Sequence, residues 1–225
     1  MKVLELFAGT RSIGKVAEAR GHEVRSVEWS KDFENIDLYA DIGTLTIDDI
    51  ISLCHGLPDV LWASPDCTTF SIAAISHHRR KNAETGNLDP VSKYAKFCDA
   101  VDQHVLYLID ELNNLRRAAG LPDLIYFIEN PRGGMRKMTW MQGRPRYTVT
   151  YCQYGDTRMK PTDIWTNHPD PRFKPMCKNG DPCHVSAPRG AKTGTQGLKG
   201  SKERSIIPPA LCEHIVDICE NLKEE

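Results

Sequence analysis

Short apolar runs that break at glycine or proline turns, each followed by residues at helical spacing, set what this 225-residue chain can fold into. Lys2 to Ala8 (KVLELFA) reads as a strand broken at Gly9, and Ile13 to Arg20 as a helix stopped by Gly21. His22 to Trp29 alternates as a second strand, Tyr39 to Ile42 is a brief third, Ile47 to Cys54 is helical, and Pro58 to Ala63 (PDVLWA) is a buried strand. In Val91 to Ala119 the apolar positions Tyr94, Phe97, Val101, Val105, Leu108, Ile109, Leu112 and Leu115 recur as on a helix. Strands follow at Leu124 to Ile128, Tyr147 to Tyr151 and Thr162 to Thr166, and Pro208 to Leu222 closes as an amphipathic helix with proline in its first turn. Strands alternating with helices predict an α/β fold with a doubly wound, mostly parallel sheet, whose ligands gather at the carboxyl ends of the strands.

Three turns at those ends carry unusual chemistry: FAGTRSIG after the first strand, SPDCTTFS after the fourth and ENPRGG after the fifth. Cys67 lies in the second of them. No Cys or His stands near it at metal-ligand spacing, which leaves a buried filler or a nucleophile. Glu129, in the third turn, would supply an acid to the same cleft; alternatively it caps a helix or pairs with Arg132. The net charge of −1 excludes a general attraction to polyanions, so a nucleic acid would have to meet local basic patches. No apolar run is long enough for a membrane helix, the start MKVLELFAGTRSIG has no long apolar core, and the eight cysteines are irregularly spaced. These features lead us to expect a cytoplasmic protein with reduced thiols.

The ordered set FAG, Glu28, Asp41-Ile42, PDC and ENP resembles the DNA methyltransferases that modify carbon 5 of cytosine. YGDTRMKPTDIWTN is similar to a later basic motif of that family in its shortened phage-like form, and RSIIPPALCEHI to its closing helix. The likeness is to a compact phage or bacterial-type member of the restriction-modification kind. It implies a Rossmann-like methyltransferase fold over residues 1–167 and 204–225, with 168–203 as a reduced target-recognition insertion. From His168 to Arg204 there are five Gly, five Pro and eight Lys or Arg against three Asp or Glu, which marks that stretch as irregular and basic.

The resemblance implies transfer of a methyl group from S-adenosylmethionine to a flipped-out cytosine of DNA. Cys67 would be the attacking thiolate, Glu129 the acid at ring nitrogen 3, and Lys160 the support for the pyrimidine carbonyl. Phe7, Ala8 and Gly9 would form the turn against the donor's amino-acid part. Glu28 would bind its ribose, Trp29 and Asp41 its adenine, and Ile42 and Pro65 would complete the donor site. Two positions depart from the family pattern. Arg11 replaces a second glycine, and Asp66 replaces the proline before the thiol; Asp66 is expected to turn into backbone hydrogen bonds while Arg158 or Lys160 offsets its charge.

Contacts to nucleic acid are expected from His77, His78, Arg79, Arg80 and Lys81 in a loop from Ser71 to Pro90, and from Arg158 and Lys192. In CKNGDPCH, Cys177, Cys183 and His184 form a partial zinc set that Cys152 would complete. Its spacing is looser than a CxxC knuckle, so free thiols and no metal are the default expectation. A transfer-RNA cytosine-5 methylase of the same fold and a noncatalytic nucleic-acid binder are the alternatives. A nicotinamide oxidoreductase is disfavoured because the GxGxxG fingerprint is missing. The oligomeric state is not legible.

Overall fold

The structure is a computed structural model that describes residues 1–186 and 200–222. Its strands are β1 (Lys2–Leu6), β2 (Glu23–Glu28), β3 (Leu38–Tyr39), β4 (Val60–Ala63), β5 (Arg79–Lys81), β6 (Leu88–Pro90), β7 (Ile125–Pro131), β8 (Arg146–Thr150) and β9 (Pro161–Thr166). Its helices are α1 (Ser12–Ala19), α2 (Ile47–Leu53), α3 (Ile75–His78), α4 (Lys93–Ala118), α5 (Ser201–Ser205) and α6 (Pro209–Asn221). A seven-stranded sheet runs in the order β3-β2-β1-β4-β7-β9-β8, and β5 pairs with β6 in a separate hairpin. The strands from β3 through β7 are parallel, whereas β9 is antiparallel to both β7 and β8.

Alternation along the strands divides the core between the two faces. Leu4, Leu6, Leu61, Ala63, Tyr126 and Ile128 point to the face packed by α2 and α4, together with Ile50, Val105, Leu108, Ile109 and Leu112. Val3, Val60, Trp62 and Phe127 point to the other, where Ile13 and Ala17 of α1 meet Leu211, Ile215 and Val216 of α6. Both faces are therefore covered by helices, the doubly wound α/β arrangement. Arg20 ties α1 to α6 through Glu213, Asp217 and Glu220.

The structure differs from the sequence expectation where a local bond competes with the pattern. β1 stops at Leu6 because Phe7 takes a φ of 53° and turns the chain. The third strand covers only Leu38–Tyr39, since the Asp41 side chain accepts from Gly43 N at 2.9 Å and starts a 3-10 turn at Ile42–Thr44. The span expected as a loop between Ser71 and Pro90 holds α3 and the β5–β6 hairpin. Residues 167–186 form no helix or strand, as their glycine and proline content suggested. No described helix is long and apolar enough to cross a membrane.

Leu61 is fully buried in the middle of the sheet. Leu61→Ala is expected to cost about 2–5 kcal/mol through lost burial and the cavity left behind. In urea unfolding this should appear as a lower midpoint with an unchanged slope.

Candidate active site at the carboxyl edge of the sheet

β4 and β7 are adjacent and parallel, so the turns leaving them emerge side by side. Cys67 follows β4 and begins a 3-10 turn at Thr68–Phe70, with its carbonyl accepting from Phe70 N and Ser71 N. Glu129 lies within β7, 6% exposed, in register with Ile164 of β9. Asn130, fully buried, donates its Nδ2 to the Pro65 carbonyl at 3.1 Å and so clasps one chemical turn to the other. Its Oδ1 has no hydrogen-bond partner among the described residues. Gly134 N donates to the Phe70 carbonyl at 2.7 Å, and a Cβ on Gly133 would stand 2.5 Å from that same oxygen. Only glycine fits beneath the Cys67 turn there.

Charge in this cleft is closely balanced. Burial, then the Glu129 and Asp66 carboxylates, push the Cys67 thiol up to about 11, while Lys160 acts in the opposite sense. Lys160 is itself buried, with its Nζ donating to the Arg204 carbonyl at 2.9 Å and standing 4.6 Å from the centre of the Tyr151 ring. Burial lowers its pKa, and Glu129 and Cys67 work against that lowering. The thiol, the carboxylate and the ammonium therefore form one electrostatic group. Tyr151 donates its hydroxyl to Glu129 Oε1 at 3.0 Å, and burial followed by that carboxylate raises the phenol well above its usual range, so it stays a donor. Neither a helix cap nor Arg132 accounts for Glu129, because its observed partner is Tyr151.

The turn after β1 meets the end of β2. Glu28 Oε2 accepts from Gly9 N at 3.0 Å, and Glu28 Oε1 from Trp29 N and Ser30 N at 3.0 Å each. This buried carboxylate therefore holds the Phe7–Gly9 turn in place. Ala8 N donates to Val27 O, and Gly9 takes a φ of 49° that suits a residue without Cβ. Next to Glu28, Trp29 is 70% exposed, whereas Ile42 and Pro65 are buried and Asp41 is exposed. Arg11, where a glycine was expected, adopts the left-handed conformation itself (φ 57°) and pairs with Glu18 while approaching Glu5 to 3.9 Å. Burial raises Glu5 to about 7, its Oε1 accepts from Gly14 N, and Arg11 partly counters the raising. The cation thus fills the loop path and faces an acid hidden in β1.

Several expected contacts are redirected. Arg79 is 2% exposed, not a phosphate contact: it forks onto Asp99 at 2.6 and 3.0 Å, reaches Thr69 through two donors, and stacks 4.1 Å from the Phe70 ring. It bolts the Cys67 turn to α4. Arg158 is also buried, and its guanidinium is neutralised by Asp156, so it neither faces outward nor offsets Asp66. Asp66 accepts from Thr68 N at 2.6 Å, the backbone bond expected of it, and Lys160 carries the offset. Arg80, Lys81 and His77 remain exposed, while half-buried His78 bonds Ser92 at 2.8 Å. Lys192 lies outside the described residues. Cys177, Cys183 and His184 gather around Cys152, the residue after Tyr151, instead of lying apart in an open loop.

Sequence reasoning missed Tyr151, Asn130, Gly133 and Glu5. The ENPRGG string was a visible signal for two of them. Nothing in the pattern marked Glu5 or Tyr151, since one sits within β1, the other starts the 3-10 turn that follows β8, and both acquire partners only across the fold.

Two outcomes follow from this geometry. Because Glu129 raises the thiol and Lys160 lowers it, Glu129→Gln should speed iodoacetamide labelling of Cys67 at neutral pH severalfold, Lys160→Met should slow it, and the wild-type rate should climb toward pH 11. Arg79→Ala, which strands the buried Asp99, should cost about 3–5 kcal/mol in urea unfolding. The exposed Arg80→Ala should stay within about 0.5 kcal/mol.

In comparisons with known proteins, no family model matches the chain. It is 29% identical over 241 residues to a Frog virus 3 (isolate Goorha) protein named "Probable DNA (cytosine-5)-methyltransferase", covering 97% of this chain and 100% of that one. Among solved structures it is similar to S. pombe Dnmt2 methyltransferase (TM-score 0.48, 14% identity, 74% of this chain and 50% of that one). It is also similar to a mutant of Spodoptera frugiperda DNMT2 (TM-score 0.45, 15% identity, 73% and 49%). The chain spans about half the length of those two solved proteins. By full-length similarity it is related to a protein named as a cytosine-5 methyltransferase.

Proposed function

We propose that this chain transfers a methyl group from S-adenosylmethionine to carbon 5 of cytosine in DNA. The observation that carries the reading is the placement of Cys67, in the turn after β4, beside Glu129 on the neighbouring parallel strand β7, with the two segments joined by the Asn130 to Pro65 bond. The name of the full-length frog-virus relative supports the same chemistry and favours DNA as substrate. It lends no support to a phage or bacterial-type placement.

The residues around β1 and β2 fit the donor. Gly9 leaves its turn free of side chain, Glu28 Oε2 keeps one lone pair that would accept from a ribose hydroxyl, and Trp29 and Asp41 are exposed and would serve the adenine. When bound, S-adenosylmethionine supplies an electrophilic methyl group. The chain's own residues do the rest.

Carbon 5 of cytosine is a weak nucleophile, so the ring must first be activated. The Cys67 sulfur bonds to carbon 6 as its proton passes to the Glu129 carboxylate, and Glu129 hydrogen-bonds the exocyclic amine and hands that proton on to ring nitrogen 3. Negative charge entering the ring is thereby neutralised as it arrives, which matters because the thiol sits in a cleft that disfavours its anion. Tyr151 keeps the carboxyl oriented, and Lys160 steadies thiolate and carboxylate together. After methylation, the carbon 5 proton passes to water, the proton on ring nitrogen 3 returns to Glu129, and the Cys67 thiolate leaves as the aromatic ring is restored. The base must leave its stack for sulfur to reach carbon 6. Exposed Arg80 and Lys81, beyond the Cys67 turn, are the phosphate contacts this reading retains.

Labelled methyl transfer to duplex DNA, single-stranded DNA and transfer RNA, side by side, tests the substrate. A fluorine at carbon 5 blocks the final elimination, so DNA with 5-fluorocytosine should hold the protein covalently, with an adduct mass that disappears in Cys67→Ser. Glu129→Gln should lower turnover by about 10²–10⁴-fold. Transfer to RNA alone would move the substrate to the transfer-RNA alternative. Absence of both transfer and adduct would overturn the enzyme reading in favour of a noncatalytic binder.

A further inference from the structure

Cys152, Cys177, Cys183 and His184 bring three sulfurs and one ring nitrogen within 4.8 Å of one another. They come from three places in the chain: the turn after β8, the middle of the irregular segment, and its last described residues. Cys152 Sγ stands 3.2 Å from Cys177 Sγ and 3.6 Å from Cys183 Sγ, and His184 Nδ1 is 3.7 Å from Cys177 Sγ and 3.6 Å from Cys183 Sγ. Zinc bound tetrahedrally, with Zn–S near ~2.3 Å and Zn–N near ~2.0 Å, sets its ligand atoms ~3.5–3.8 Å apart. Three of the four separations fall in that range and the fourth is slightly short. A disulfide would need its sulfurs at about 2.05 Å, which none of these pairs approaches.

The segment that carries these ligands has little else to hold it. From Pro169 to Ser186 only Pro171 and Cys177 are buried, and half-buried Phe173 packs against the core face shared by α1 and α6, so little apolar burial accounts for the path of residues 174–186. Backbone ties do bring it onto the turn after β8: Lys174 N to the Tyr154 hydroxyl, Cys177 N to Thr150 Oγ1, and Val185 N to Thr157 O. Gln153 Nε2 also approaches Cys183 Sγ at 3.6 Å, a donor suited to a thiolate. We infer that Cys152, Cys177, Cys183 and His184 bind one zinc ion in a closed, four-coordinate structural site. Three thiolates with one imidazole select zinc among common divalent ions, and four protein ligands leave no open position for chemistry.

The site joins the irregular segment to the cleft through a single residue step. Cys152 directly follows Tyr151, whose hydroxyl holds Glu129. Zinc therefore fixes the turn that orients the carboxyl, and it anchors the segment at the point where it enters residues 187–199.

Untagged protein purified without chelator and analysed by mass spectrometry for metals should carry about one zinc per chain. Cys183→Ser and His184→Ala should lose most of it, and Cys67→Ser should keep it. Since a ligand variant can fail to fold, the wild-type chain provides a second measurement: after zinc removal, Co(II) should give intense visible d–d bands with thiolate charge transfer, abolished by adding zinc. Zinc below about a tenth of an equivalent together with a Co(II) spectrum typical of octahedral oxygen ligation would overturn the inference. A Cys152–Cys177 disulfide found by peptide mapping of freshly prepared protein would do the same. Both readouts are independent of methyl transfer, so failure of this site and failure of the proposed activity are distinguishable.

Discussion

Parallel pairing of β4 with β7 is the constraint on which the rest of this molecule depends. It delivers two turns to one edge of the sheet, and the Asn130 side chain fastens them by donating to the Pro65 carbonyl. Without that register, Cys67 and Glu129 would be an isolated thiol and an isolated acid. With it, the Glu129 carboxylate raises the Cys67 thiol, and Lys160 is drawn into the same buried group. Desolvation makes every one of these charges costly alone, and their mutual compensation makes the cluster tolerable.

The supporting residues share a pattern. Arg79 looks from its neighbours like part of a basic run, yet its guanidinium lies beneath the Cys67 turn and is consumed by Asp99 and Thr69. Arg158 is likewise consumed by Asp156. Cations that sequence reading gives to an external polyanion are spent internally, holding the turns around the cleft. Of those expected contacts, the ones that face outward among the described residues are Arg80 and Lys81, with His77 beside them.

Arg11 and Asp66, the two positions where the sequence departs from the pattern it resembles, both find local explanations. Arg11 occupies the left-handed conformation that a glycine would take freely, and its guanidinium offsets part of the cost of burying Glu5. Asp66 caps the backbone of the turn it starts. Neither residue blocks the Phe7–Gly9 turn, which is held from the other side by Glu28.

The sequence by itself determined the order of the strands and helices of the main sheet, its parallel core and the turns that carry chemistry, because hydrophobic period and glycine or proline breaks are local signals. KVLELFA, PDVLWA and LIYFI each announce a buried strand, and ENPRGG shows its glycines openly. The β5–β6 hairpin, the antiparallel β9, the burial of Arg79 and the partnership of Tyr151 with Glu129 were decided only by tertiary structure. Apart from the hairpin, whose pairing is local, each depends on a partner 20 or more residues along the chain, and no residue carries a local mark of where such a partner will fall. The convergence of Cys152 with Cys177, Cys183 and His184 is of the same kind: sequence supplied the ligand types, and folding alone brought them to within a few ångströms.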